Sequence, residues 1–292
     1  MSTRVSGMGD AKAVVMGPPI ALLERDPDLG EDLGPAELAA ARRRVLARVA
    51  RYPRGPLQIE PTDFDGSASL GLLLIEGMLV RRVTVGRRTC AELLGPGDVT
   101  QPWLTAGPDD SIGTDVSWQV AQPLRLALLD HDFIARAQPW PQLLAAVSRR
   151  IMLRVHWLSF HLAVCHLRRV DDRLLLVLWH FADRWGRVTP RGVELDLPLT
   201  HGLLAAVVGA YRPSVTVALR ALADAGLLER RSRSRWTLLG APPEELRQLH
   251  LHAGRRDQPP EELARTPADA GAGEGAQTSL RVRPGSRNAQ LA

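Results

Sequence analysis

The chain has 292 residues, 45% of them hydrophobic and 24% charged, an ordinary globular composition that excludes a wholly disordered or fibrous protein. Of its 37 basic residues all but Lys12 are arginine, and the formal net charge is +5. Two cysteines, Cys90 and Cys165, are too few for a disulfide framework or a cysteine-rich metal cluster. No apolar run reaches the roughly 18–20 residues a membrane span needs, and Met1–Pro19 lacks the apolar stretch of a secretory signal. The expectation is a reducing, cytoplasmic protein with no membrane partner.

The charge is segregated. Residues 18–138 hold 13 arginines and 17 acids, residues 139–169 five arginines and no acid, and residues 170–240 ten arginines and seven acids. An acidic front half joined to a basic back half suggests that only the back half meets a polyanion.

In chain order, residues 1–19 are small and polar and read as a flexible N-terminus. Leu33–Arg51 carries Leu38, Val45, Leu46 and Val49 at roughly helical spacing and reads as a helix. The period then changes. Leu70–Ile75, Met78–Val85, Thr89–Leu94, Val116–Val120 and Leu124–Leu129 are short apolar runs. Glu76-Gly77, Gly86, the Gly95–Asp98 stretch and Gln122-Pro123 punctuate them as turns, the pattern of an antiparallel sandwich or barrel. Pro139–Arg169 reads as one long helix. In it Leu144, Ser148, Ile151, Val155, Leu158, Leu162 and Cys165 step by three and four, a heptad seam that implies a homodimer. Val147, Trp157 and Phe160 lie off that seam and are free to pack inward.

From Val170 the order is helix (Arg173–Trp185), strand (Gly192–Pro198), helix (Thr200–Val208), tight turn, helix (Pro213–Ala225). Two strands follow, Leu227–Glu229 and Trp236–Leu239, around a basic tip. This is the order of a winged helix-turn-helix. Thr200 is placed to cap the first short helix, Gly209 to take the sharp turn, and Pro213 to sit where a missing N–H costs nothing. Val215, Ala218, Leu219 and Leu222 recur at core spacing. That leaves Tyr211, Arg212, Pro213, Ser214, Thr216, Val217 and Arg220 on a free face able to enter the major groove of double-stranded DNA, with Thr200 as a further expected DNA contact. The tip arginines Arg230, Arg231, Arg233 and Arg235 are suited to flanking phosphates. Beyond Gly240 a brief helix, Pro243–Leu249, precedes a mostly disordered tail within 241–292.

With those residues in hand, residues 20–240 resemble the Crp–Fnr family of bacterial transcription regulators. The resemblance is carried by Leu197–Thr200, Val208-Gly209, Arg212–Val215 and Ala218–Leu228, with Leu94–Asp98 similar to a turn in the family's β-roll. It implies an α+β protein: an N-terminal antiparallel, jelly-roll-like sensor roll (20–138), a dimerisation helix (139–169) and a C-terminal winged helix-turn-helix (170–240). RNA polymerase is among the partners it implies. Arg212 matches the family's phosphate- or base-contacting arginine. Pro213 and Val217 stand where some members carry a base-reading Glu and Arg, so the operator differs.

For the effector the departures weigh more. Members that bind cyclic nucleotides hold ribose and phosphate with a Gly-Glu pair and an Arg-Ala or Arg-Ser. Here no arginine occurs between Arg88 and Arg125, and Asp109, Asp110 and Asp115 make the stretch hostile to phosphate. The expectation is a degenerate effector domain that does not bind cyclic nucleotides and answers to an unknown small molecule or to none.

His156, His161, Cys165 and His166 read as polar decoration of the long helix rather than a metal or haem site, and His131-Asp132 as a turn with a helix cap rather than a catalytic pair. No cofactor and no enzymatic activity are expected. The competing reading is a ligand-binding signalling module of the same fold that does not act through DNA.

Overall fold

The structure, a computed structural model, describes residues 15–59, 69–103, 114–232 and 234–244. It begins with β1 (Val15–Ala21), already within the stretch expected to be flexible and paired antiparallel with a later strand. After a short helix α1 (Leu22–Arg25) comes α2 (Pro35–Arg44), where Glu37 accepts the N–H of Gly34 and three arginines close the last turn. The helix expected over Leu33–Arg51 is therefore half that length. It stops at Arg44, and β2 (Leu46–Tyr52) follows. The physical reason is local: the tract alternates small or β-branched apolar residues with arginine, so Ala47 and Val49 reach the core only in an extended strand.

Next come β3 (Gly55–Leu57), β4 (Gly71–Val85), β5 (Arg88–Leu94), β6 (Val99–Thr100) and β7 (Asp115–Leu129). The strand order is β1-β2-β7-β4-β5, with β3 added on β7 and β6 on β4. Two expected turns are instead bends inside strands. Glu76-Gly77 and Gln122-Pro123 lie opposite one another where the β4–β7 register shifts. Gly77 has φ +88°, and a Cβ there would stand 2.1 Å from the Pro123 carbonyl oxygen. Glycine and proline thus mark a bulge that bends two long strands together.

Then come α3 (His131–Ala137), α4 (Pro141–Cys165) and α5 (Val170–Trp185). Asp130 caps α3 through the Phe133 N–H at 2.9 Å, so His131-Asp132 is the first turn of a helix. The inward face of α4 is Leu143, Ala146, Val147 and Val164, all buried. The same face carries Arg150, which binds Asp26, and Arg154, which holds Glu92 bidentately at 2.7 and 2.8 Å. Arg149 reaches Asp32. Three of the five arginines that made this segment look like a polyanion surface are therefore neutralised by acids of the roll. Much of the charge segregation seen in the sequence is an attraction within the chain.

The C-terminal elements are β8 (Arg187–Thr189), β9 (Gly192–Asp196), α6 (His201–Val207), α7 (Arg212–Asp224), β10 (Leu228–Arg230) and β11 (Arg235–Leu238), the strands ordered β10-β11-β9-β8. Met78, Val80, Ala91 and Leu93 of the roll share one apolar cluster with α5, α6 and α7. Arg184 on α5 donates to the buried Asp98 carboxylate at 2.6 Å, and Asp98 also accepts the Gly95 N–H at 2.9 Å. Roll and winged unit are joined by a core rather than by a bare linker.

Candidate nucleic-acid interface

The helix-turn-helix is built from local causes. Thr200 Oγ1 accepts the Leu203 N–H at 3.1 Å and caps α6. Gly209 takes φ +64° at the turn, and a Cβ there would lie 3.4 Å from Cys165 Sγ. Pro213 falls in the first turn of α7. Val215, Ala218, Leu219 and Leu222 are buried, and burying one face of an amphipathic helix leaves the other to solvent. On that free side Tyr211 is 76% exposed and Val217 70%, with Arg212, Pro213, Ser214, Thr216 and Arg220 also exposed. Exposed apolar residues beside arginines, next to a basic hairpin, suit a surface that reads base edges and thymine methyls.

The hairpin of β10 and β11 pairs Arg230 with Trp236 across the strands. The Arg230 guanidinium lies 4.8 Å from the Trp236 ring centroid, and its Nε donates to the Ser232 carbonyl at 3.1 Å. Arg235 is exposed, and Arg231 bonds Glu229 at 3.3 Å. Arg233 lies outside the described residues, as do most of Pro243–Leu249, the rest of the tail, and Asp109 and Asp110.

One residue escaped the sequence reading. His201, next to the cap, has Nδ1 2.9 Å from Thr216 Oγ1 and Nε2 3.3 Å from Arg230 Nη1. Thr216 in turn donates to the Arg212 carbonyl at 3.1 Å. Burial, then the cations Arg230 and Arg212, hold the His201 imidazole below its ordinary value of 6.5. Thr200, His201, Gly202, Arg212 and Arg230 line one open concavity. Only the position of His201 after a helix cap signalled it, because its partners lie 15 and 29 residues away.

The proposed seam divides. Val155 and Leu162 are 51% and 66% exposed, and Ile151 and Leu158 are exposed with them. Leu144 packs in part against the roll's core. Cys165 departs from the expectation: it is half-buried against the α6–α7 turn, with Sγ 3.7 Å from the Val207 carbonyl oxygen, and burial pushes its thiol up. His161 departs as well. It is no surface decoration but sits among Phe160, Phe181 and His180, whose ring centroid lies 5.3 Å away.

Between roll and α4 lies a cavity of ≈290 Å³ lined by Leu70, Arg81, Thr100, Trp118, Ile151 and Arg154 among others. Its cations come from outside the arginine-free span. Both are engaged: Arg154 by the bidentate Glu92 pair, and Arg81 with Nη1 3.8 Å from a Glu92 oxygen.

No single helix among the described residues is long and apolar enough to cross a membrane, and no group of three or more His, Cys, Asp or Glu among them is placed to hold a metal ion.

Comparison with known proteins agrees with this geometry. Residues 172–249 match the Crp-like helix-turn-helix domain family. Regulatory protein CysR of Synechococcus elongatus is 30% identical over 133 residues, 44% of this chain, and the match spans 61% of that relative's length. Among solved structures, a CooA mutant from Carboxydothermus hydrogenoformans is similar with a TM-score of 0.52 at 19% identity, covering 70% of this chain and 87% of that one. A cyclic nucleotide-binding domain containing protein from Listeria monocytogenes also has a TM-score of 0.52, at 16% identity, covering 65% and 87%. Residues 172–249 thus carry a Crp-like helix-turn-helix domain, packed against an antiparallel roll, in a chain that spans less than two thirds of the curated relative it matches.

Proposed function

We propose that the protein is a transcription regulator that binds double-stranded DNA as a homodimer, without enzymatic activity, in the cytoplasm. The observation that carries the reading is the exposed N-terminal half of α7, with Arg212, Thr216 and Val217 open to solvent beside the basic hairpin. A helix presented this way enters the major groove, while the hairpin arginines sit over flanking phosphates. Dimerisation is supported by Ile151, Val155, Leu158 and Leu162 along one face of a 25-residue helix. Apolar residues repeated at heptad spacing on an exposed face are covered by a second helix far more often than by water. RNA polymerase is the further partner this role implies.

The roll acts on this reading as a degenerate sensor that does not take cyclic nucleotides, because Glu92 already engages both guanidiniums of the cavity. The effector is a molecule of other chemistry, or there is none. Selection of bound fragments from genomic DNA by the purified protein, followed by gel shift, tests the whole reading. A recurring palindromic site bound by a dimer is the expected result. Failure to enrich any sequence, at low as well as physiological salt, would favour the signalling module that does not act through DNA.

A further inference from the structure

The direction of each hydrogen bond around His201 can be deduced from its partners. Arginine only donates, so Nε2 of His201, facing Arg230 Nη1 at 3.3 Å, must be the acceptor. The ring proton then sits on Nδ1 and is given to Thr216 Oγ1 at 2.9 Å. The Thr216 hydroxyl hydrogen goes to the Arg212 carbonyl at 3.1 Å. This is one unbroken, one-way chain from the wing strand β10, through the first residue of α6, to the first turn of α7. Its wing end is held twice more, by the Trp236 ring and the Ser232 carbonyl. The chain requires a neutral ring, since a protonated imidazole has no lone pair for Arg230. The charged groups at the ring are Arg230 from β10 and Arg212 from α7, both cations, and Glu229 beside them is turned to Arg231.

We infer that His201 is a positioning residue of the DNA interface: its neutral imidazole clasps the wing to the recognition helix, so that Arg230 and Arg212 meet DNA in one fixed arrangement, and protonation opens the clasp and weakens binding. This rests on the DNA-binding reading above and adds a residue and a pH response to it. The benefit is pre-organisation. A guanidinium already held by an aromatic face, a carbonyl and an imidazole loses less rotamer freedom when a phosphate arrives.

The test uses the full chain. Nitrogen-correlated NMR of the free protein should report the Nδ1–H tautomer for His201; an Nε2–H tautomer overturns the clasp before any DNA is added. Operator affinity is then measured from pH 7.5 to 5.5 for the wild type, His201→Gln and His201→Ala. A glutamine amide carries both an acceptor and a donor but does not titrate. His201→Gln should match the wild type at pH 7.5 and pull ahead of it as the ring protonates toward pH 5.5, by less than tenfold because the ring is held below its ordinary 6.5. His201→Ala should be weaker than both at pH 7.5, and its penalty should vanish in a Thr216→Val background, where the chain is already cut. A wild type that gains on His201→Gln as pH falls would mean that the ring serves as a cation on phosphate, and the clasp would be wrong. So would an alanine variant indistinguishable from wild type. If the wild type binds no DNA at any pH, the DNA reading itself has failed, and the tautomer result tells that failure apart from this one.

Discussion

His161 makes the acid stability of this fold a quantitative matter. It projects from α4 into a cage of Phe160, His180 and Phe181. Its pKa is lowered to about 4, chiefly by desolvation, with Arg184 adding to the shift and Glu92 opposing it. In the unfolded chain the same imidazole titrates at 6.5. Between those values the unfolded state binds the proton that the folded state refuses, so stability is full above pH 6.5 and falls as pH drops toward 4. At about 1.4 kcal/mol per pH unit, the loss over that window is on the order of 3 kcal/mol, a sizeable share of the 5–15 kcal/mol typical of a domain. The perturbation to make is His161→Phe, which keeps an aromatic ring in the cage and removes the titration. Urea unfolding of both proteins at half-unit intervals from pH 7.5 to 4 isolates the residue, since every other group titrates in both. The wild type should lose about 3 kcal/mol relative to the variant across the window. A constant gap between the two, or an NMR titration of His161 centred near 6.5, would refute the buried-neutral assignment.

Other expectations follow from the same geometry. Arg212→Ala should weaken operator binding by about 1–3 kcal/mol and relax sequence preference at one position if it reads a base edge, measured by fluorescence anisotropy; unchanged affinity would remove it from the interface. Leu158→Glu should yield monomers in sedimentation, because two copies would bring like charges together in a desolvated seam, and operator affinity should fall with the dimer. Gly77→Ala should cost about 1–3 kcal/mol in chemical denaturation, since the added Cβ meets the rigid Pro123 carbonyl at a positive φ; a neutral result would mean the bulge relaxes freely.

How much of this was legible depends on whether the cause was local. The winged unit reads from its own sequence because a cap threonine, a left-handed glycine and a first-turn proline each act within a few residues. Leu46–Tyr52 misreads as helix because its period is ambiguous over seven residues and its partner strands lie 25–36 residues before it and 72–78 after it. The Glu76-Gly77 and Gln122-Pro123 turns misread for a related reason: glycine and proline mark departures from regular backbone, and only the facing strand says whether the departure is a turn or a bulge. Charge misled most. Arg149, Arg150 and Arg154 look like a basic face until Asp32, Asp26 and Glu92 are brought beside them by folding over 62 to 124 residues of separation. His201 lies at the same limit, its meaning set by contacts across three elements.

The roll's cavity shows how such long-range pairing can remove the ground of an argument. From the sequence, cyclic nucleotides are excluded because the span from Arg88 to Arg125 has no cation inside it. In the structure Arg81 and Arg154 supply two, and the proposed exclusion would have to come from Glu92, which binds Arg154 at 2.7 and 2.8 Å and stands 3.8 Å from Arg81. A phosphate binding those guanidiniums competes with Glu92 for them, and displacing that carboxylate breaks a part-buried pair, a loss of about 3–5 kcal/mol. Glu92→Gln therefore separates the two explanations. The variant should be less stable than the wild type, because Arg154 loses its bidentate carboxylate and Arg81 the charge beside it. It should recover melting temperature in millimolar cyclic AMP or inorganic phosphate, as any protein does when a ligand binds only its folded form. The wild type should gain nothing from either anion. Calorimetry on the two proteins gives the same comparison as an affinity, with at least a tenfold gain expected for the variant, about 1.4 kcal/mol. A wild type that binds cyclic AMP with a micromolar Kd would overturn the degenerate-sensor reading. A Glu92→Gln protein that is folded yet as indifferent to anions as its parent would mean that the shape of the cavity, not the Glu92 carboxylate, keeps nucleotides out.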